Sequence, residues 1–248
     1  MVTKTPIANA AACWSCGAEQ EASAHFCAAC GKVQPAVALD HFAFFGLPRK
    51  LNLDAAALER EFYRLSRKLH PDVYARASAR EQQWSLDKSS QLNDAYRTLK
   101  DPVARTAYLL GLEGVQLEEQ SKAATDRARL TGEEKKQVVP PDLLEEAFEL
   151  NLQLEELRME KKTGSADPSV LAELHAAKAR FEQKLEALGA ELRTHWAEWD
   201  ALPFHDRQHE AGAASADRIR VRDQMVDLLN RRSYIRNLVR DVSEELNH

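Results

Sequence analysis

Apolar positions recur along most of this chain with the period of a helix. Leu58, Phe62, Leu65 and Leu69 fall at i, i+4, i+7 and i+11, one face of a helix wound at about 100° per residue. Arg60, Arg64, Arg67 and Lys68 lie largely off that face. Asp54 stands where a carboxylate can cap the first turn. Pro71 ends the helix, because it lacks an N–H and disfavours the α region for the residue before it. Leu92, Ala95, Tyr96 and Leu99 repeat the helical spacing and predict an antiparallel partner. His70, Pro71 and Asp72 are therefore expected in a tight exposed loop at the end of a basic surface.

The C-terminal half carries three further stripes. Leu143, Ala147, Leu150, Leu154 and Leu157 form the first. After a break at residues 164–168, Leu171, Leu174, Phe181, Leu185, Leu188, Leu192, Trp196 and Trp199 form the second. Val221, Met225, Leu228, Ile235, Val239 and Leu246 form the third, beyond a loop expected over residues 201–214. Three amphipathic helices of this kind predict a bundle. Residues 113–140, with Thr131-Gly132 and Pro140-Pro141, are charged and irregular and read as a connector. On the first bundle helix Leu144, Phe148 and Leu152 make a second apolar stripe, roughly 100–180° from the core stripe. Another helix could cover it; alternatively it is a partner site, flanked by Glu145, Glu146 and Glu149.

Composition agrees with an all-α binding protein. Gly and Pro number 9 each while 29% of residues are charged, which favours helices over a turn-rich β fold. Net charge is −5, so nucleic acid is not a favoured partner. The arginines of the third bundle helix (Arg218, Arg220, Arg222, Arg231, Arg232, Arg236 and Arg240) read more simply as paired or solvated. No stretch approaches the ~20 apolar residues needed to span a bilayer, and the first twelve residues lack the pattern of a targeting segment. The chain reads as cytoplasmic. His70 has no Ser, Cys or second His at a useful spacing, so the expected mechanism is protein contact, not catalysis.

All four cysteines lie near the N-terminus, as Cys13-x-x-Cys16 and Cys27-x-x-Cys30, each pair followed by a glycine, Gly17 or Gly31. Two such knuckles can supply a tetrahedral S4 site, and in so small a segment a metal would replace a hydrophobic core. One structural Zn²⁺ per chain is the expected occupant. Two disulfides, a thiol redox pair and an iron–sulfur cluster are the alternatives. Disulfides suit a reducing compartment poorly, and a redox pair would want a βαβ context. His25 is read as a bystander.

His70-Pro71-Asp72 between two such helices resembles the J-domain, with which J-proteins stimulate ATP hydrolysis by an Hsp70 chaperone. Phe42, Phe45-Gly46-Leu47-Pro48, the helix from Asp54, Leu92-Asn93-Asp94-Ala95-Tyr96, Asp101-Pro102, Arg105 and Tyr108-Leu109-Leu110 resemble more narrowly the HscB family. These are J-protein co-chaperones of iron–sulfur cluster assembly; some relatives open with a similar Cys-Trp-x-Cys. The resemblance implies that Asp72 engages an arginine of an HscA-type Hsp70, with Arg64, Arg67 and Lys68 docking on its acidic surface. It also implies that Leu144, Phe148 and Glu149 bind an IscU-type iron–sulfur scaffold protein, with Tyr234, about 140° off the third core stripe, as another aromatic contact. Glu145 and Leu152 depart from the family pattern, which changes the expected contact chemistry. A J-protein for another client, or a redox protein using its Cys pairs, is the alternative function. The expected domains are a zinc module with linker (1–38), a J-domain (39–112), a connector (113–140) and a scaffold-binding three-helix bundle (141–248).

Overall fold

The structure, a computed structural model, describes residues 10–115, 117, 140–164, 167–202 and 216–247. Most of the connector expected over 113–140, including Thr131-Gly132, and most of the loop expected over 201–214 lie outside the described residues. The chain divides into two compact units, Met1–Leu109 and Leu110–His248. Helices dominate both, and the strands found among the described residues are β1 (Ala10–Ala12) and β2 (Glu19–Glu21), an antiparallel pair.

The first unit continues with α1 (His41–Phe44), α2 (Ala55–Leu69), a 3-10 turn (Pro71–Tyr74) and α3 (Ala79–Lys100), and α4 (Pro102–Leu112) begins within it. Local chemistry sets these limits. Asp54 accepts the Ala57 amide at 3.0 Å and caps α2, and Pro71 forces the helix to end at Leu69. Ser78 and Glu81 form a reciprocal capping box at the start of α3. Leu58, Leu65 and Leu69 of α2 pack with Phe42, Leu92, Ala95 and Leu99 in a buried core. Phe62, at the edge of that face, is half-buried and stacks on Tyr96 with ring centroids 4.0 Å apart. Burying each such aliphatic side chain stabilises by about 1.5–3 kcal/mol.

The second unit is built on α5 (Leu144–Thr163), α6 (Pro168–Ala201) and α7 (Ala216–Asn247). Gly164, at φ +94°, ends α5 in the left-handed conformation glycine tolerates, and Pro168 opens α6 behind the Asp167 cap. The break expected at 164–168 thus falls between the end of α5 and the start of α6. All five residues of the first stripe are buried and share one core with Val170, Leu174, Ala177 and Phe181 of α6 and with the end of α7. Leu192, Trp196 and Trp199 of α6, and Val221, Met225 and Leu228 of α7, are buried farther along the same hairpin.

Helix lengths explain one departure from the expected pattern. At ~1.5 Å per residue, the 20 residues of α5 span about 30 Å, against about 51 Å for the 34-residue α6. Where α7 meets α6 and α5 together, its buried face widens to take in Tyr234, Leu238 and Val242. A single stripe extended from Val221 misses them. We expect Phe181→Ala, which empties the three-helix junction, to cost about 3–5 kcal/mol, measured by denaturant unfolding of the full chain. A loss below about 1 kcal/mol would show that this junction is not the centre of the bundle.

Candidate functional site

Three features bear on function. The first is the His70-Pro71-Asp72 loop. His70 is the last residue before the 3-10 turn, and its Nδ1 accepts the Asp72 amide at 3.3 Å. The Asp72 carboxylate lies 3.5 Å from that ring nitrogen, and 91% of its side chain is open to solvent. The loop's base is fixed from below. Leu69, whose carbonyl ends α2, receives the hydroxyls of Ser85 at 2.6 Å and Ser89 at 2.8 Å from α3. The carboxylate is therefore presented outward from an anchored turn, as a bidentate partner of a guanidinium would need.

The basic residues beside the loop divide by environment. Arg64 is held by Glu61 in a two-pronged pair at 2.7 and 2.5 Å, so its charge is partly neutralised within α2. Arg67 is exposed. Lys68 is exposed too, with its ammonium 5.8 Å from the centroid of the Phe26 ring.

The second feature is the outer face of α5. Leu144, Phe148 and Leu152 are 58%, 63% and 55% exposed, so among the described residues no helix covers them. Met159, at 60%, continues the same line, seven residues beyond Leu152, a spacing that the sequence already carries. Glu149 is exposed at one edge. Tyr234 requires correction: it is 4% exposed and packs in the bundle core, where desolvation pushes its hydroxyl pKa up. Its place in the core shared with α5 and α6 removes it from the partner surface expected from the resemblance. The arginines of α7 are largely occupied within the bundle. Arg218 pairs with Glu113 at 2.8 Å and lies over the Trp199 ring at 3.9 Å. Arg220 pairs with Glu198, and Arg231 with Asp142 and Asp227.

The third feature is the cysteine cluster. Both knuckles fold alike. Gly17 N–H donates to Cys13 O and Gly31 N–H to Cys27 O, each at 2.9 Å, with both glycines at φ +72°. A side chain at that φ would be strained, which explains the glycine in each. The four Sγ atoms lie within 4.8 Å of one another. Cys13–Cys30 and Cys16–Cys27, both across the knuckles, are separated by 3.7 Å. Sulfurs bound at ~2.3 Å to one tetrahedral centre would stand about 3.8 Å apart, so the donor set fits a metal ion. All four are free thiols. Burial would raise the Cys13 thiol, but the amides of Cys16 and Ser15 bring it down; the Ala18 amide would lower Cys16, but its hydrogen bonds to the other sulfurs push that thiol up, so the four thiols share their protons unequally.

His25 is not part of that group. It links the module to the helices instead: Nε2–H donates to Phe44 O at 2.8 Å, and Nδ1 faces Lys88 Nζ at 3.3 Å. Desolvation, with the charges of Lys88 and Arg64, holds its pKa below the ordinary value and favours the neutral ring. Lys32 reaches Glu81 at 2.9 Å. Neither link was evident in the sequence, because a helical lysine such as Lys88 ordinarily reads as solvated.

Fold and exposed loop together define a J-domain co-chaperone, and a DnaJ domain family model matches residues 40–108. The HscB homologue of Vibrio vulnificus is 33% identical over 162 residues, covering 65% of this chain and 83% of that protein. The chain belongs to the HscB family of co-chaperones, and so is not an enzyme. The HscB homologue of Bordetella petrii is 44% identical over 91 residues, 37% of this chain and 54% of the relative. Among solved structures, HscB from Vibrio cholerae matches with a TM-score of 0.53 at 26% identity, covering 83% of this chain and 96% of the other. Human HscB matches with a TM-score of 0.62 at 20% identity, covering 94% and 98%, a likeness of fold.

Lys88 generates a pH prediction. It is 1% exposed, and desolvation lowers its pKa to about 8. The unfolded chain holds that proton up to the ordinary value near 10.4, so between about pH 8 and 10 the unfolded state binds more protons and folding gains as pH rises. Unfolding free energy of the first unit should therefore rise by roughly 2 kcal/mol from pH 7.5 to 9.5 relative to Lys88→Met. Parallel pH profiles of wild type and variant in urea titrations would refute the assignment.

Proposed function

We propose that this protein holds an IscU-type iron–sulfur scaffold protein on α5, delivers it to an HscA-type Hsp70, and stimulates that chaperone's ATPase through His70-Pro71-Asp72. The observation that carries the reading is the Asp72 carboxylate, fully presented at the end of a basic helix whose last carbonyl is anchored. Such a group can pair with an arginine of the Hsp70 by charge-assisted hydrogen bonds, with Pro71 and His70 fixing its direction. Exposed Arg67 and Lys68 complement an acidic surface and speed encounter; Arg64 contributes less while Glu61 holds it. The chemistry of ATP hydrolysis belongs wholly to the partner.

For the client, the support is the exposed apolar line of Leu144 and Phe148 with Glu149 at its edge. An apolar strip that no helix covers among the described residues, rimmed by acid, suits a partner with a complementary apolar and basic face. Leu152 and Met159 lengthen it. The cysteine set holds structural Zn²⁺ in this reading: an all-thiolate tetrahedron is closed, leaving no position for a substrate.

Asp72→Asn should abolish ATPase stimulation, measured as phosphate release with saturating scaffold, while leaving scaffold affinity unchanged. Equal stimulation by the variant would sink the role of the carboxylate. Leu144→Ala with Phe148→Ala should weaken scaffold binding by about 100-fold, as truncation of two interface anchors at ~1–2 kcal/mol each implies, with helicity unchanged. Calorimetric titration decides it: unaltered affinity removes the strip as the client site.

A further inference from the structure

We propose that the tetracysteine module is a brace that holds the His70-Pro71-Asp72 loop in the conformation its Hsp70 partner reads, with Lys32 as a positioning residue. This rests on the J-domain reading above and assigns the module a part in the same site.

The contacts fall along one line of α3. Lys32 Nζ lies 2.9 Å from Glu81, whose side chain is only 6% exposed. The Glu81 carboxylate also accepts the Ser78 amide at 3.2 Å and the Ser78 hydroxyl at 2.8 Å. Lys32 thus neutralises, from outside the helix pair, the carboxylate that closes the α3 capping box. One turn on, Trp14 meets Trp84 edge to face at 5.5 Å. A further turn on, His25 joins Lys88 to the Phe44 carbonyl. Positions 81, 84 and 88 share one helix face.

The adjacent face of α3 carries Ser85 and Ser89, the two hydroxyls that hold Leu69 O at the base of the loop. The loop is therefore stretched between two anchors on α3: Leu69 O before it and the Ser78–Glu81 box after it. The module clamps the helix that supplies both. Lys68, on the approach to the loop, faces the module's Phe26 as well.

Such a clamp depends on the cysteine cluster. Apart from Cys13 and Cys27, Val33 is the buried apolar residue of the described segment before Phe42, joined by Gln34. So small a core does not hold a fold without a cross-link or metal. Gln34, 2% exposed, donates to Cys13 Sγ at 3.4 Å and to Lys32 O at 2.8 Å. The stretch that carries Lys32 is thereby tied to the sulfurs.

The test uses the full chain in three forms: zinc-loaded wild type, zinc-loaded Lys32→Glu and zinc-loaded Lys32→Arg, with zinc content verified for each. Hydrogen exchange of amides in residues 70–81 reads the loop directly. Lys32→Glu should speed exchange there about tenfold, the loss of one charge-assisted bond, while Lys32→Arg stays near wild type. ATPase stimulation should show lowered maximal stimulation for Lys32→Glu, with Lys32→Arg rescuing it. Chelation of wild type should reproduce the faster exchange at 70–81. Unchanged exchange in Lys32→Glu and in the chelated protein overturns the brace. If wild type fails to stimulate any Hsp70 offered, the J-domain reading falls, and the exchange data still decide the brace.

Discussion

The arrangement of the first unit turns on the Leu69 carbonyl. A helix end leaves its last carbonyls without intrahelical donors, and Pro71 prevents α2 from continuing to a solvent-capped finish. Two serine hydroxyls from α3 satisfy that carbonyl. Their polar cost is met inside the helix pair, which is why Ser85 can be fully buried at the crossing. With the end of α2 pinned, the chain must turn over His70-Pro71-Asp72 to reach the Ser78 cap. The exposed carboxylate follows from that constraint.

The same economy governs the cysteine module. Its knuckles repeat one backbone pattern, each using a left-handed glycine to aim a loop at its sulfurs. What it lacks in apolar core it takes from the sulfur cluster on one side and the α3 surface on the other. His25 and Lys88 are the informative pair there. A buried ammonium facing a neutral imidazole costs stability at neutral pH, so its presence marks a seam where specific geometry outweighs best packing.

Much of this was legible in the sequence because the relevant signals are short-range. Period, cap and proline placed α2, its end and the loop; knuckle spacing placed the four sulfurs; Gly164 and Pro168 mark the end of α5 and the start of α6. The misses have one physical origin, the presence of a neighbour that a wheel cannot see. Tyr234 is buried because α5 covers only part of the α6–α7 hairpin, so the core face of α7 turns along its length. Lys88 and Glu81 are buried because the cysteine module sits on α3. Conversely, Met159 stays exposed because nothing described packs on the outer side of α5.

The shortness of α5 also bears on how the bundle can present a partner surface. A helix packed on two long neighbours buries one face and leaves the opposite one outermost. On α5 the buried stripe of Leu143, Ala147, Leu150, Leu154 and Leu157 supplies the folding energy, so the outer residues are not needed for stability. An apolar outer line from Leu144 to Met159 is then a cost in water without a structural return. Leu152 fits that logic: an apolar residue among acids at a position the core does not use. Separation of the two stripes on one helix lets the bundle tolerate change in one without loss of the other, so a partner surface can differ between relatives while the fold is kept.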